Sequence, residues 1–413
     1  MERKGGKYLT ENVSVILHWN ADYAEIPRKK LPVVVEKSYE PMIAALEEWR
    51  DGTVCFNLTG HTIEFLQQNF PELIERMKEL VRENTIEMLA CGYSHPILPL
   101  LPKERVKKQI KDHINLLKKT FGKHPQGFWP PELAVSPAIL KQIKALGLDW
   151  VTIDYEHFQL AQWFGNEYNP FERRRETLTE FLVKAYWLKG LRRVKAYLSA
   201  KRMMQKANAE QSQPLERVII SGTETLKAYL SSVSWTYSTQ FAVGGFVPIY
   251  TVKMHLKSIL QLKTRILPLY ASDIEFFGYR TMGPTPAKPQ SLVNFLEKLK
   301  ENNIYTSSPT QIKDDFWAEQ PKNICTGSWA PNKSLEIWTE SADNRELIRR
   351  LQEIYTFLQK FGWKKRIIAK IEPYLRIVEN SDARGWAPLP ERKQEAYSAL
   401  NTIFDLLEKE QKR

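Results

Sequence analysis

The chain reads as an α/β protein, a parallel sheet with helices packed outside it, followed by a bundle of helices. Short apolar runs alternate with amphipathic ones from residue 13 to about 320, the pattern of parallel strands joined by crossover helices. From Asp343 onward strands vanish, and three segments with helical spacing follow (about 343–361, 364–379 and 390–409). At 413 residues, 43% hydrophobic and 11% aromatic, the chain suits one large domain with a smaller one beside it.

The first strand is Val13 to Trp19 (VSVILHW), a continuous apolar run that suits burial on both faces. Ser38 to Trp49 has helical spacing, with Pro41 tolerated in its first turn. Thr53 to Thr59 is the second strand, ending at Gly60-His61, and Pro71 to Glu83 places Leu73, Met77 and Leu80 on one helical face. Thr85 to Cys91 is the third strand, and Lys103 to Thr120 is a long basic amphipathic helix. Gly127 to Trp129 forms a fourth strand that Pro130 and Pro131 stop, since neither has an N–H for a ladder. Glu132 follows at once, and Ser136-Pro137 then opens a helix closed by Gly147. Trp150 to Asp154 is a fifth strand. Residues 156–262 read as a helical and loop insertion, after which the alternation resumes with a strand at Arg265 to Ala271. A helix at Gln290 to Lys300, a short strand at Ile304 to Thr306 and a helix at Thr310 to Trp317 follow. The expected organisation is a barrel-type domain over 1–320 and a helical domain over 321–413 that contributes to the cleft.

Composition excludes several classes. No apolar run approaches the roughly 18 residues of a membrane span, and the charged N-terminus lacks a signal-type core. Three widely spaced cysteines (Cys55, Cys91, Cys325) give no disulfide framework, which favours the cytoplasm. The net charge is +12, and residues 171–217 carry twelve Lys/Arg against five Glu. No recognition motif or aromatic interleaving accompanies that charge, so solvated basic helices, not a nucleic-acid partner, are expected. Without a phosphate loop or dinucleotide fingerprint, no cofactor is implied. No metal is assigned either: none of the seven histidines forms His-x3-His, and Cys91-x3-His95 lacks a second ligand pair. His18, His95 and a carboxylate from separate strands remain an alternative zinc set, and Cys91–His95 as a nucleophile pair has no activating context.

In parallel α/β folds, ligands bind at the carboxyl ends of the strands. Those ends carry His18, His61, His95, Glu132 and Asp154, joined by Asp273 in the segment Ser272 to Gly278. Glu132 and Asp273 form the type of carboxyl pair that glycosidic cleavage needs, one to attack and one to protonate the leaving oxygen. Trp19, Trp129, Trp329 and Trp386 lie beside candidate groups. Aromatic faces stack on sugar rings, and neighbouring Asp382 and Arg384 suit sugar hydroxyls.

Five ordered segments resemble glycoside hydrolase family 57, enzymes that act on α-glucans. Thr85 to Leu100 (TIEMLACGYSHPILPL) is similar to the family's second region, Gly127 to Glu132 to its third, and Ser272 to Gly278 (SDIEFFG) to its fourth. Thr326 to Trp338 and Glu379 to Pro388 (ENSDARGWAP) are similar to late segments that approach the site. The family's first region usually reads His-Gln-Pro, where this chain has His18-Trp19-Asn20. The resemblance implies a distorted, incomplete (β/α)7 barrel with an adjoining C-terminal α-helical bundle. It also implies a retaining double displacement without metal, with Glu132 as nucleophile and Asp273 as general acid/base. The expected substrate is an α-1,4-linked glucan or maltooligosaccharide, as for an α-amylase or 4-α-glucanotransferase. His18 and His95 would bind the sugar at the cleavage point, with His61, Trp129, Trp329, Asp382 and Trp386 completing the binding set. A metal-dependent carbohydrate deacetylase and a non-catalytic glucan-binding protein are the alternatives.

Overall fold

The computed structural model describes residues 10–21, 26–164, 178–187, 190–244, 251–281, 286–385 and 388–411. Strand β1 (Asn12–Trp19) is buried along all but its first residue and pairs in parallel with β2 (Val54–Leu58) on one side and β8 (Leu267–Asp273) on the other. Strand β3 (Ile86–Met88) continues beyond β2, and the short β9 (Tyr305–Thr306) pairs with the start of β1. A second sheet runs β4 (Gly127–Phe128), β5 (Trp150–Asp154) and β7 (Glu224–Ser231) in parallel, with β6 (Leu215–Ser221) antiparallel at its edge. An Ala90–Phe128 bridge joins the two sheets. The result is a run of seven parallel strands, β8-β1-β2-β3-β4-β5-β7. This is the distorted, incomplete barrel, and among the described residues no ladder closes β7 onto β8.

The open edge of β8 is covered by the helix Val233–Gly244. Thr236 Oγ1 accepts from the Ala271 N–H at 3.0 Å, and Thr239 Oγ1 donates to the Leu269 carbonyl at 2.8 Å. Helix hydroxyls thus satisfy buried strand groups that a further strand would otherwise pair. This accounts for a Ser/Thr-rich segment whose sequence reads as a loop. The stretch from 156 to 262 is also not wholly an insertion, because β7 within it is a barrel strand.

Ile16, Cys55, Leu89, Trp129, Trp150, Tyr229, Ile266 and Trp317 fill the barrel's interior. Gly127 is required there: a Cβ would meet the Trp150 indole at 2.2 Å. Outside the sheet a larger apolar layer packs the helices, including Pro71–Arg82 and Lys103–Phe121. The three expected C-terminal helices form over Ala342–Lys360, Lys365–Glu379 and Pro390–Gln411. Among the described residues, no helix is long and apolar enough to cross a membrane.

Other differences from the sequence reading have local causes. Strand β3 stops at Met88, and the Cys91 N–H is then taken by His113 Nδ1 at 3.0 Å. The segment expected as a helix at 310–317 forms two 3-10 turns instead. There Ser308 and Gln311 make a capping box, and Thr310 Oγ1 bonds both Glu87 and the Trp150 indole, local bonds that compete with helix propagation. Strand β8 runs two residues later than expected, which brings Asp273 onto the sheet opposite His18.

Three histidines are enclosed in neutral form: His113 against the Leu58 carbonyl, His157 against the Cys325 carbonyl and His255 against Thr239. Burial lowers them from 6.5 to about 4, 3 and 3 respectively. The unfolded chain therefore binds protons below pH 6.5 that the folded chain refuses. Stability is fully present above that pH and falls as the pH drops toward about 4, by on the order of 3 kcal/mol per histidine. Urea titrations from pH 7.5 to 4.5 should show this decline beginning near 6.5, and a flat profile would refute it.

Candidate active site

Glu132 is presented by an unusual backbone. Pro131–Leu133 form a single 3-10 turn in which Glu132 and Leu133 take positive φ values of 56° and 46°. Side-chain-bearing residues pay roughly 1–2 kcal/mol each for this conformation. The surroundings hold it: Leu133 N bonds the Pro130 carbonyl at 2.8 Å, Ala134 N the Pro131 carbonyl at 3.0 Å, and Trp329 N the Glu132 carbonyl at 3.3 Å. At the side chain, Trp329 Nε1 donates to Oε2 at 2.5 Å and Ser381 Oγ to Oε1 at 3.3 Å.

His95 also has a positive φ, 55°. Its Nδ1 lies 2.9 Å from Ser381 Oγ, 3.6 Å from Asp382 Oδ2 and 3.9 Å from Glu132 Oε1. The turn Ser381–Ala383 is tied to the same place, since Ser381 N bonds the His95 carbonyl at 3.0 Å. Asn20 Nδ2 donates to Asp382 Oδ2 at 2.8 Å. At the end of β1, His18 Nδ1 meets Asn57 Oδ1 at 2.7 Å, and its ring stacks on His95 at 4.9 Å and on Trp129 at 5.9 Å. Asp273 sits beside His18 in the sheet register and accepts from Arg280 Nη1 at 2.9 Å through Oδ2. Two residues on, Glu275 is buried and bonded by the Tyr39 hydroxyl.

These groups share one electrostatic field. Burial raises the Glu132 carboxyl above the ordinary 4.5, helped by Asp382 and Asp273 and opposed by His95 and the Trp329 indole. Burial pulls His95 down, but the bond to Asp382 and the charges of Asp382, Glu132 and Asp273 outweigh it, so His95 is raised on balance. His18 is lowered to about 4, by burial first and then by His95. Burial and Asp273 push Glu275 up to about 8. A protonated His95 among the carboxyl groups of Glu132, Asp382 and Asp273, beside a neutral His18, is the arrangement this favours.

The structure brings His18, His95, Trp129, Glu132, Asp273, Trp329 and Asp382 together. His61 stands elsewhere, in the helix Gly60–Asn69, where it meets the Tyr93 ring edge-on at 5.9 Å and lines a cavity of about 1090 Å³ with Phe65, Glu64 and Trp363. None of the seven clustered side chains lines that cavity. Trp386 lies outside the described residues. Trp19 is a core residue, fully buried between Tyr39 and Phe56. Asp154 serves a buried ion pair with Lys333 and is not in the cluster. Cys91 pairs with His113, not His95, and burial pushes its thiol up to about 12, so it is no nucleophile. His95, Glu132 and Asp382 place ligand-type atoms within 4.8 Å of one another and could hold a cation. Sequence reasoning missed Asn20, Asn57, Ser381, Arg280 and Glu275; of these, Ser381 and Glu275 were readable as neighbours of the two acidic motifs.

A model of glycosyl hydrolase family 57 matches residues 3–193. The chain is 25% identical over 297 residues to an alpha-amylase of Pyrococcus abyssi, covering 68% of this chain and 44% of that protein. It is 24% identical over 336 residues to alpha-amylase 1 of Dictyoglomus thermophilum, covering 77% and 48%. The structure of a family-57-type branching enzyme from Pyrococcus horikoshii superposes with a TM-score of 0.62 at 12% identity, over 95% of this chain and 87% of that one. The family match, these relatives and the shared fold all point to glycosyl hydrolase family 57. It spans less than half the length of the two alpha-amylases. The family-57 match ends at residue 193, so it contains His18, His95, Trp129 and Glu132, while Asp273, Trp329 and Asp382 lie beyond it. The fold carries those later residues to the same place.

Proposed function

We propose that this protein is a family-57 enzyme, a retaining glycoside hydrolase or transglycosylase acting on α-1,4-linked glucans. One observation supports the reading: Glu132 and Asp273, from separate strand ends, lie near enough for the charge of Asp273 to act on Glu132, which Trp329 and Ser381 orient. Glu132 attacks the anomeric carbon and Asp273 protonates the departing glycosidic oxygen, leaving a glycosyl ester on Glu132. Asp273 then takes a proton from water or from a sugar hydroxyl, which displaces Glu132 and restores the starting configuration. The charge of His95 favours the ionised form of Glu132 that the first step needs. Neutral His18 can exchange hydrogen bonds with a sugar hydroxyl, and Trp129, Trp329 and Asp382 complete the proposed binding set. His61 joins that set only for a glucan long enough to enter its cavity. The three buried cysteines, none in a disulfide, fit a reducing, cytoplasmic setting.

Incubation with maltoheptaose tests this. The expected products are α-anomers at first release; shorter products alone indicate hydrolysis, and longer ones as well indicate transfer. The acid limb of kcat/KM should lie above 4.5, because a proton must leave the Glu132 cluster before attack. β-Anomers would overturn the retaining mechanism. Acetate release from an acetylated sugar that stops on chelation, with maltoheptaose left intact, would favour a metal-dependent deacetylase using the His95, Glu132 and Asp382 donors. Binding without products would favour a non-catalytic glucan-binding protein.

A further inference from the structure

We infer that Lys333 is a positioning residue that holds the Trp329 indole on Glu132, an inference that rests on reading Glu132 as the nucleophile. Lys333 is fully buried and stands at a positive φ of 63° in the loop that carries Trp329. Its ammonium lies 3.0 Å from Asp154 Oδ1 and 3.0 Å from Glu156 Oε2, and donates to Thr179 Oγ1 at 2.9 Å and to the Trp329 carbonyl at 3.2 Å. One cation therefore joins the end of β5, the helix Tyr155–Phe164, the helix Leu178–Trp187 and the main chain of Trp329 itself. Both carboxylates are fixed in turn: Asp154 caps its helix by accepting from the His157 N–H at 2.8 Å, and Glu156 accepts from the Leu178 N–H at 2.8 Å.

The loop has no slack around this anchor. Val135 and Gly327 exchange N–H···O bonds of 2.9 and 3.1 Å, Ser328 N bonds the Lys333 carbonyl at 3.2 Å, and Lys333 N bonds the Ala330 carbonyl at 2.8 Å. A Cβ on Gly327 would lie 2.3 Å from His157 Nε2 and 2.6 Å from the Lys333 carbonyl. Beyond these staples, Trp329 meets Glu132 twice, through its N–H at 3.3 Å and its indole at 2.5 Å. A buried charge with this partner set fixes a geometry more effectively than an apolar side chain, because an ammonium displaced from its acceptors is strongly penalised.

Lys333→Met alone would strand two buried carboxylates and put folding itself at stake, so the informative variant is Lys333→Met/Asp154→Asn, which keeps the same net charge in the cage. The introduced amide oxygen can accept the helix-capping bond as the Asp154 carboxylate does. The double variant should keep the native circular dichroism yet lose about tenfold in kcat on maltoheptaose with KM changed less, matching one charge-assisted bond lost from the nucleophile. Adding Trp329→Phe should cost little further, since both changes break one contact. The Trp329 indole N–H resonance, assigned by its loss in Trp329→Phe, should move upfield in the double variant. A folded double variant with kcat within twofold of the parent, additive effects with Trp329→Phe, or an unmoved resonance would each overturn the inference. If the parent protein turns over no glucan, the proposed function fails, and the resonance alone still decides the role of Lys333.

Discussion

Glu132→Gln is expected to lower maltoheptaose turnover by at least about 10⁴-fold, the scale seen when a covalent nucleophile is removed. A carboxamide cannot form the glycosyl ester, yet its oxygen can still accept from the Trp329 indole and its volume matches that of the acid. The strained turn at Glu132 and Leu133 is held by main-chain bonds that the substitution leaves in place. Substrate binding should therefore survive, visible as quenching of tryptophan fluorescence by oligosaccharide. The substitution also removes a carboxylate from the group around His95, so the raised affinity of that imidazole for its proton should decrease. Residual turnover above a few per cent, in a preparation shown free of deamidated protein, would refute the nucleophile assignment.

Arg105→Met is expected to cost about 3–5 kcal/mol of stability, because it strands a buried charge. Arg105 Nε and Nη2 bond Glu379 at 2.6 and 2.8 Å, and Nη1 bonds Glu372 at 2.6 Å. Glu379 is fully buried and is also held by Gln109 at 2.6 Å and by the Tyr355 hydroxyl at 2.8 Å. This network joins the barrel helix Lys103–Phe121 to the C-terminal helix Lys365–Glu379. It also ends at the site, since Glu379 leads directly into the Ser381–Ala383 turn, and Gln109 bonds Ser94, the neighbour of His95. Urea denaturation should show a clear loss of midpoint, partly recovered in Arg105→Met/Glu379→Gln, where no charge is stranded. An unchanged midpoint in the single variant would show that the ion pair is not what docks the helical bundle.

The strands β1, β2 and β5 and the helices over 71–82 and 103–121 were legible because their burial follows from local periodicity. The hydrophobic side chains of a buried parallel strand announce it regardless of which strand lies beside it. Strand β7 and the helix over 233–244 were not legible, because their composition answers to partners far away. Thr236 and Thr239 bond the outer edge of β8, which has no further strand among the described residues, and nothing within that segment records this. The same held for the 3-10 turns at 309–316, where bonds to Glu87 and Trp150 displaced a helix that local spacing favoured.

At the site the division has a similar cause. Glu132, Asp273, His18 and His95 could be named from sequence, since the ends of parallel strands converge and a motif marks each one. What the residues around them do could not be read there. His61 and Asp154 also stand at strand ends, yet one faces a separate cavity and the other belongs to Lys333. The chain's own order thus determined the barrel, the helical bundle and the two carboxyls of the proposed reaction. Only the tertiary structure decided which side chains face those carboxyls and in which direction burial and neighbouring charges shift Glu132, His95 and His18. Position along a strand depends on local geometry, whereas hydrogen bonding, desolvation and Coulomb energy depend on atoms within a few ångströms, and Ser381 and Trp329 reach Glu132 from about 249 and 197 residues away.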